Sequence, residues 1–94
     1  MLFRSPSDHY IHDSTFYDIE TGIYITDEDN VTIYNNEIYN FSSYGINIQN
    51  SYEMYLIDNY IHNGTGNGIE FYNVQNSSIS GGELIVKYRI SDVT

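Results

Sequence analysis

Apolar and polar residues alternate along this chain in short bursts. Val31-Thr32-Ile33-Tyr34, Glu37-Ile38-Tyr39 and Gly45-Ile46-Asn47-Ile48-Gln49 set their apolar side chains on alternate positions, with β-branched types prominent. Such alternation predicts strands with one buried face. Polar stretches separate the bursts. Asn35-Asn36 tolerates left-handed backbone angles and predicts a sharp corner, Asn40-Phe41-Ser42-Ser43-Tyr44 reads as a polar loop, and Asn50-Ser51-Tyr52-Glu53 as a turn. The whole arrangement then recurs: Gly22-Ile23-Tyr24-Ile25, Gly45-Ile46-Asn47-Ile48 and Gly68-Ile69-Glu70-Phe71 follow one another at a spacing of 23 residues. A fixed period in this range signals a solenoid, whose coils bury their apolar faces by stacking on their neighbours.

Three strands per coil, with two tight corners and one longer loop, predict an all-β parallel β-helix. Its 23-residue coils fall at 8–30, 31–53 and 54–76, followed by a partial coil from Ser77. Stacking them gives inward columns of Ile23, Ile46 and Ile69; Ile25, Ile48 and Phe71; Val31, Met54 and Ser77; Ile33, Leu56 and Ile79; and Thr15, Ile38, Ile61 and Leu84. Burying one such apolar side chain stabilises by about 1.5–3 kcal/mol, so a one-residue slip, which would turn these side chains to water, is disfavoured. The corner column is Asp13, Asn36, Asn59 and Gly82, a structural turn ladder in which stacked amides are expected to hydrogen-bond between coils.

With Asn-x-x-Ile followed by a short loop and Gly-Ile-x-Ile, residues 8–86 resemble the right-handed parallel β-helix, or pectin-lyase-like, superfamily, and in particular its generic repeats as in NosD-type proteins. The resemblance implies right-handed winding. It does not select a function, because the same repeat serves lyases, hydrolases, epimerases, tailspikes, adhesins and surface-layer proteins.

Residues 1–7 are expected to be disordered or a cloning or sequencing scar, since Met1-Leu2-Phe3-Arg4-Ser5 resembles the translation of a common sequencing adapter; residues 87–94 read as an irregular tail or a truncated next coil. The chain carries thirteen Asp and Glu against three Lys and Arg, and the bases Arg4, Lys87 and Arg89 lie outside the complete coils. That balance argues against a nucleic-acid partner, which needs clustered bases. No apolar run approaches the roughly 20 residues of a membrane span. The absence of cysteine removes disulfides and thiolate metal sites.

In enzymes of the resembled superfamily the substrate lies over the strand that here begins at Gly45. Its outward columns are Tyr24, Asn47 and Glu70, with Val93 expected at the next equivalent position, then Thr26, Gln49 and Tyr72. Tyr24, Asn47, Gln49, Glu70 and Tyr72 are therefore the ligand-binding candidates, offering a glycan a stacking face and hydrogen bonds. Tyr44-Gly45-Ile46-Asn47-Ile48-Gln49 is similar to the Tyr-Gly-Phe/Ile-Asp-Pro-His motif of alginate epimerases, but Asn47 and Gln49 replace its acid and its imidazole. Glu37 and Glu83 share a column two coils apart, at about 9.6 Å from the strand spacing, but Tyr60 sits between them, so they are not expected to act as a glycosidase's acid pair. His9, His12 and His62 fall on different faces or coils and are expected to be solvent-exposed, Asp27-Glu28-Asp29-Asn30 reads as a solvated turn, and no metal or cofactor is expected. Four Asn-x-Ser/Thr sequons, at Asn30, Asn40, Asn63 and Asn76, fall in loops or turns.

The chain is thus expected to be a non-catalytic β-helix fragment of a larger extracellular, periplasmic or cell-surface protein, structural or glycan-binding, with neighbouring coils or self-association through uncapped ends as further partners. The alternative is part of a carbohydrate-active enzyme (polysaccharide lyase, epimerase or hydrolase) whose catalytic site lies mostly on other coils, with Glu70 at its margin as acid or base and Tyr72 as a stacking platform.

Overall fold

Period-two alternation is realised as a parallel β-solenoid. The computed structural model describes the backbone of residues 2–3, 10–81, 83–85 and 88–93, and the side chains of 10–81. Among the described residues ten strands form it: β1 (Leu2–Phe3), β2 (Tyr10–His12), β3 (Thr15–Thr26), β4 (Asp29–Tyr34), β5 (Glu37–Ile57), β6 (Tyr60–His62), β7 (Asn67–Gln75), β8 (Ser78–Ser80), β9 (Glu83–Ile85) and β10 (Tyr88–Val93). Every pairing is parallel. The expected short strands run together where pairing continues round a corner, so β5 alone winds through all three faces of the central coil. β1 lies inside the segment expected to be disordered or a scar, and pairs Leu2 with Tyr24.

The core is the set of inward columns. Ile23, Ile46 and Ile69 stand in register, as do Ile25, Ile48 and Phe71, and all six are buried. Ile33 and Leu56 continue upstream to Ile11, which is also buried, and downstream to the half-buried Ile79. Phe41, expected in a polar loop, is instead 1 % exposed and belongs to this core. Ile19 pairs beside it in the preceding coil, and Gly64 lies against its ring in the next, where an added Cβ would stand 1.9 Å from the ring edge. The loop reading failed because one large apolar residue among polar neighbours carries no periodicity.

The first winding is one residue shorter than the second. Phe16 pairs with Ile38, 22 positions on, so Phe16 packs on the core and Thr15, expected inward, is exposed beside Glu37. The register returns to 23 after Ile19, where Ser42 and Ser43 together oppose Glu20 in a bulge. The last winding is shorter again: β10 places Arg89, not Val93, beside Glu70.

The shorter first winding also corrects the corner column. Asp13 stands level with Asn35, its carboxylate accepting from the Asn35 amide, while Ser14 stands level with Asn36. Gly82 lies outside the described residues. The ladder is therefore the half-buried Ser14 followed by the buried Asn36 and Asn59. Asn36 Oδ1 accepts from Ser14 N at 3.1 Å, and Asn36 Nδ2 donates to Ile11 O and Asn59 Oδ1, both at 3.1 Å. Asn59 Oδ1 also accepts from Asn36 N at 3.1 Å, and Asn59 Nδ2 donates to Ile33 O at 2.9 Å. These amides satisfy backbone groups that the corner removes from the strand ladders.

The left-handed residue is the one before each ladder member. Asp13, Asn35, Asp58 and Gly81 form one column at φ between 52° and 63°. Asp18, Asn40 and Asn63 form a second, Asp27, Asn50 and Asn73 a third, and Asn30, Glu53 and Asn76 a fourth, all at positive φ. Asn and Asp tolerate this conformation because their short polar side chains bond locally. Here they also bond across coils, Asn40 Nδ2 to Asp18 Oδ1 and Asn73 Nδ2 to Asn50 Oδ1, each at 3.0 Å. At three corners the next residue is a serine that caps the turn: Ser14, Ser51 and Ser77 each donate Oγ to the carbonyl two residues back.

The repeated glycines serve close approach rather than unusual torsion. A Cβ at Gly45 would stand 2.5 Å from the Gly68 carbonyl oxygen and 2.9 Å from Ile61 Cγ2. The obstructing oxygen is backbone, so the coils must separate to admit it. Gly45→Ala is expected to destabilise by about 2–3 kcal/mol, within the range for overpacking a tight interior; urea titration followed by circular dichroism checks this, and an unchanged midpoint would contradict the coil spacing.

Candidate functional site

The strand face beginning at Gly22, Gly45 and Gly68 gathers the sequence-derived candidates as expected. Tyr24, Asn47 and Glu70 align on successive coils, and Thr26, Gln49 and Tyr72 align beside them. Their environments differ. Tyr72 is 47 % exposed, Asn47 is buried at 7 %, and Tyr24, Gln49 and Glu70 are half-buried. Gln49 Nε2 donates to Asn47 Oδ1 at 3.5 Å, and Asn67 Nδ2 donates to Glu70 Oε1 at 3.4 Å. The face thus presents one exposed ring beside amides and one carboxylate. The register of β10 adds the position of Arg89 to the Glu70 column.

Glu37 aligns with Tyr60, and Tyr60 with Glu83, as the spacing required. Glu37 is nevertheless engaged elsewhere: its Oε2 lies 2.8 Å from His62 Nε2 on the following coil. His62, expected to be solvent-exposed, has only 14 % of its side chain exposed and stacks on Tyr39 and Tyr60. His12 stacks on Tyr34, and its Nδ1 lies 2.7 Å from Asp13 Oδ2. The hydrogen bond from His12, and secondarily that from Asn35, holds the Asp13 carboxyl below its ordinary value. His9 lies outside the described residues. Among the described residues no group of three or more His, Asp or Glu is placed to hold a metal ion.

The Asp27–Asn30 turn is built into the solenoid. Asp27 and Asn30 are two of the left-handed corner residues, and Glu28 N donates to Ser51 Oγ at 3.1 Å. The four sequon asparagines are all exposed corner residues at positive φ.

A second feature was not read from the sequence. On the face carrying β6, Tyr17, Tyr39 and His62 stack in a column with centroids 5.3 and 5.1 Å apart, and Tyr60 stacks on His62 at 4.0 Å. The stack ends beside a groove of about 380 Å³ on the outer side of the corner, lined by Asp13, Thr15, Asn35, Glu37, Asp58 and Tyr60. The available signal was Tyr17 and Tyr39 spaced 22 apart with His62 another 23 on, masked by the assumption of one constant period.

The family model described as "Right handed beta helix region" matches residues 2–86. No curated protein and no solved structure matches the chain.

Proposed function

Because this chain belongs to the right-handed β-helix family, we infer that it is a non-catalytic repeat module of a larger protein at the cell surface, in the periplasm or outside the cell, a scaffold that offers its Gly-Ile strand face to glycans. The observation that carries this reading is the composition of that face. Tyr72 supplies an exposed ring, with Gln49 before it in its column and Glu70 two residues back on the same strand, while Glu70 has Asn47 rather than a second acid in the coil before it. Such a face supplies stacking and hydrogen bonds, and a lone carboxylate does not supply the paired acid and base of glycoside hydrolysis.

The register of Arg89 beside Glu70 favours a second reading, a carbohydrate-active enzyme whose remaining groups lie on other coils. A carboxylate that can serve as base and an arginine that can neutralise a ligand carboxylate are the residue types that a uronate site uses. One experiment separates the two: glycan-array binding together with turnover assays on polyuronates and neutral glycans, for the parent and for Glu70→Gln and Tyr72→Ala. Binding without turnover, reduced about tenfold by Tyr72→Ala, is the expected result. Turnover that Glu70→Gln abolishes would establish the enzyme instead.

A further inference from the structure

The aromatic stack and the corner groove together make a site separate from the Gly-Ile strand face. Asn59 occupies the corner, and Tyr60, Ile61 and His62 follow it along β6. Tyr60 and His62 both point outward, Ile61 being fully buried between them. Their rings stack at 4.0 Å with planes 15° apart, so one face of Tyr60 is covered by His62, on the side away from the corner. The opposite face turns toward the corner, where Tyr60 lines the groove with Asn35, Glu37 and Asp58.

This platform is held in place before any ligand arrives. His62 is fixed by Glu37 at 2.8 Å and by Tyr39, and Tyr39 is backed in turn by Tyr17. A ring whose rotamer is already set loses little entropy on binding. The rest of the groove is polar and supplies both acceptors and donors. Asp13 and Asp58 bring carboxylates, Thr15 a hydroxyl and Asn35 an amide, arranged around an aromatic plane. A flat apolar surface edged by fixed hydrogen-bonding groups complements a ring that is apolar on its faces and carries hydroxyls at its rim.

We propose that the corner groove binds one pyranose unit of a neutral saccharide, stacked on the free face of Tyr60 with its hydroxyls bonded to Asp58, Glu37 and Asn35. Charge selects against uronates. Asp13, Glu37 and Asp58 all line the groove, and residues 10–81 contain neither Lys nor Arg to pair with a ligand carboxylate. Glu37 acts in two ways, as a hydrogen-bonding group and as the anchor of His62. His62 is a positioning residue that acts through Tyr60.

The test is isothermal titration of the full chain with β-1,4-linked gluco-, manno- and xylo-hexaose and with hexagalacturonate, using the parent, Tyr60→Ala and Tyr72→Ala, and Tyr72→Ala, in which the Gly-Ile strand face is weakened, as the background for Tyr60→Ala and Asp58→Asn. The expected result is binding of at least one neutral hexaose by Tyr72→Ala, weakened tenfold or more when Tyr60→Ala or Asp58→Asn is added to it, and no binding of hexagalacturonate in that background. If Tyr60→Ala does not fold, Tyr60→Leu keeps the apolar bulk without the flat face and must lose the same affinity. In the Tyr72→Ala background, saturable binding that survives loss of the Tyr60 ring overturns the proposal, and so does the absence of binding by any neutral hexaose. Binding lost in Tyr72→Ala but kept in Tyr60→Ala would place the glycan on the Gly-Ile strand face, overturning this site while upholding that one.

Discussion

Ile46→Asp abolishes the β-type circular dichroism of the chain at neutral pH. Ile46 is completely buried in the central coil, with Ile23 on one side and Ile69 on the other. The substitution removes a buried side chain worth about 2–5 kcal/mol on truncation and puts a carboxylate where neither column neighbour can pair with it. An unpaired buried charge costs several kcal/mol more, or else remains protonated and raises its pKa. Together these approach the roughly 5–15 kcal/mol that holds an ordinary domain folded. Ile46→Val, which keeps the shape and loses one methyl, is expected to cost about 1 kcal/mol and serves as the control. A parent-like spectrum and melting curve for Ile46→Asp would mean that the inward register is wrong.

Asn36→Ala is expected to lower stability by about 2–6 kcal/mol, at about 1–3 kcal/mol for each of the two partners left unsatisfied, Ile11 O and Ser14 N, since Asn59 Oδ1 keeps the backbone N–H of residue 36. Three hydrogen bonds leave with the side chain: to Ile11 O, to Asn59 Oδ1 and from Ser14 N. Asn36 is 2 % exposed, so water does not readily replace the amide. The loss falls across two interfaces at once, because Asn36 reaches the coil before it and the coil after it. Asn35→Ala, one residue away, is exposed and breaks a single bond to Asp13, but it places alanine at a φ of 59°. Its cost is expected to be the smaller, about 1–2 kcal/mol for a non-glycine residue in the left-handed region. Chemical denaturation of the two variants against the parent measures the difference. If Asn35→Ala proved the more damaging, the corner torsion rather than the buried amide would dominate the ladder.

These substitutions show where sequence reasoning succeeded. Alternation identified Ile46, Ile48, Ile33 and Leu56 as inward because side-chain direction along a strand is fixed by the local backbone, and two residues suffice to define it. The same logic brought Tyr24, Asn47 and Glu70 to one column, since the coils holding them keep a single 23-residue spacing. It failed wherever the number of residues in a winding changed. Thr15 and Asp13 were each placed one position out of step, and Val93 was set where Arg89 stands, because the extra or missing residues are absorbed in loops with no periodic signal.

The candidate sites divide along the same line. The Gly-Ile strand face was legible because its residues come from the most regular part of the repeat. The corner groove was not, because it combines Asp13 from the shorter first winding with Glu37 and Tyr60 from later ones, and it depends on which face of Tyr60 the neighbouring His62 covers. The sequence by itself determined the all-β solenoid, its period and most of its inward columns, all consequences of local alternation repeated at constant spacing. Only the tertiary structure decided the register between coils, the left-handed corner columns and the aromatic stack. Each of these depends on what the adjacent coil places opposite a residue, and that alignment is fixed by how the loops absorb unequal winding lengths.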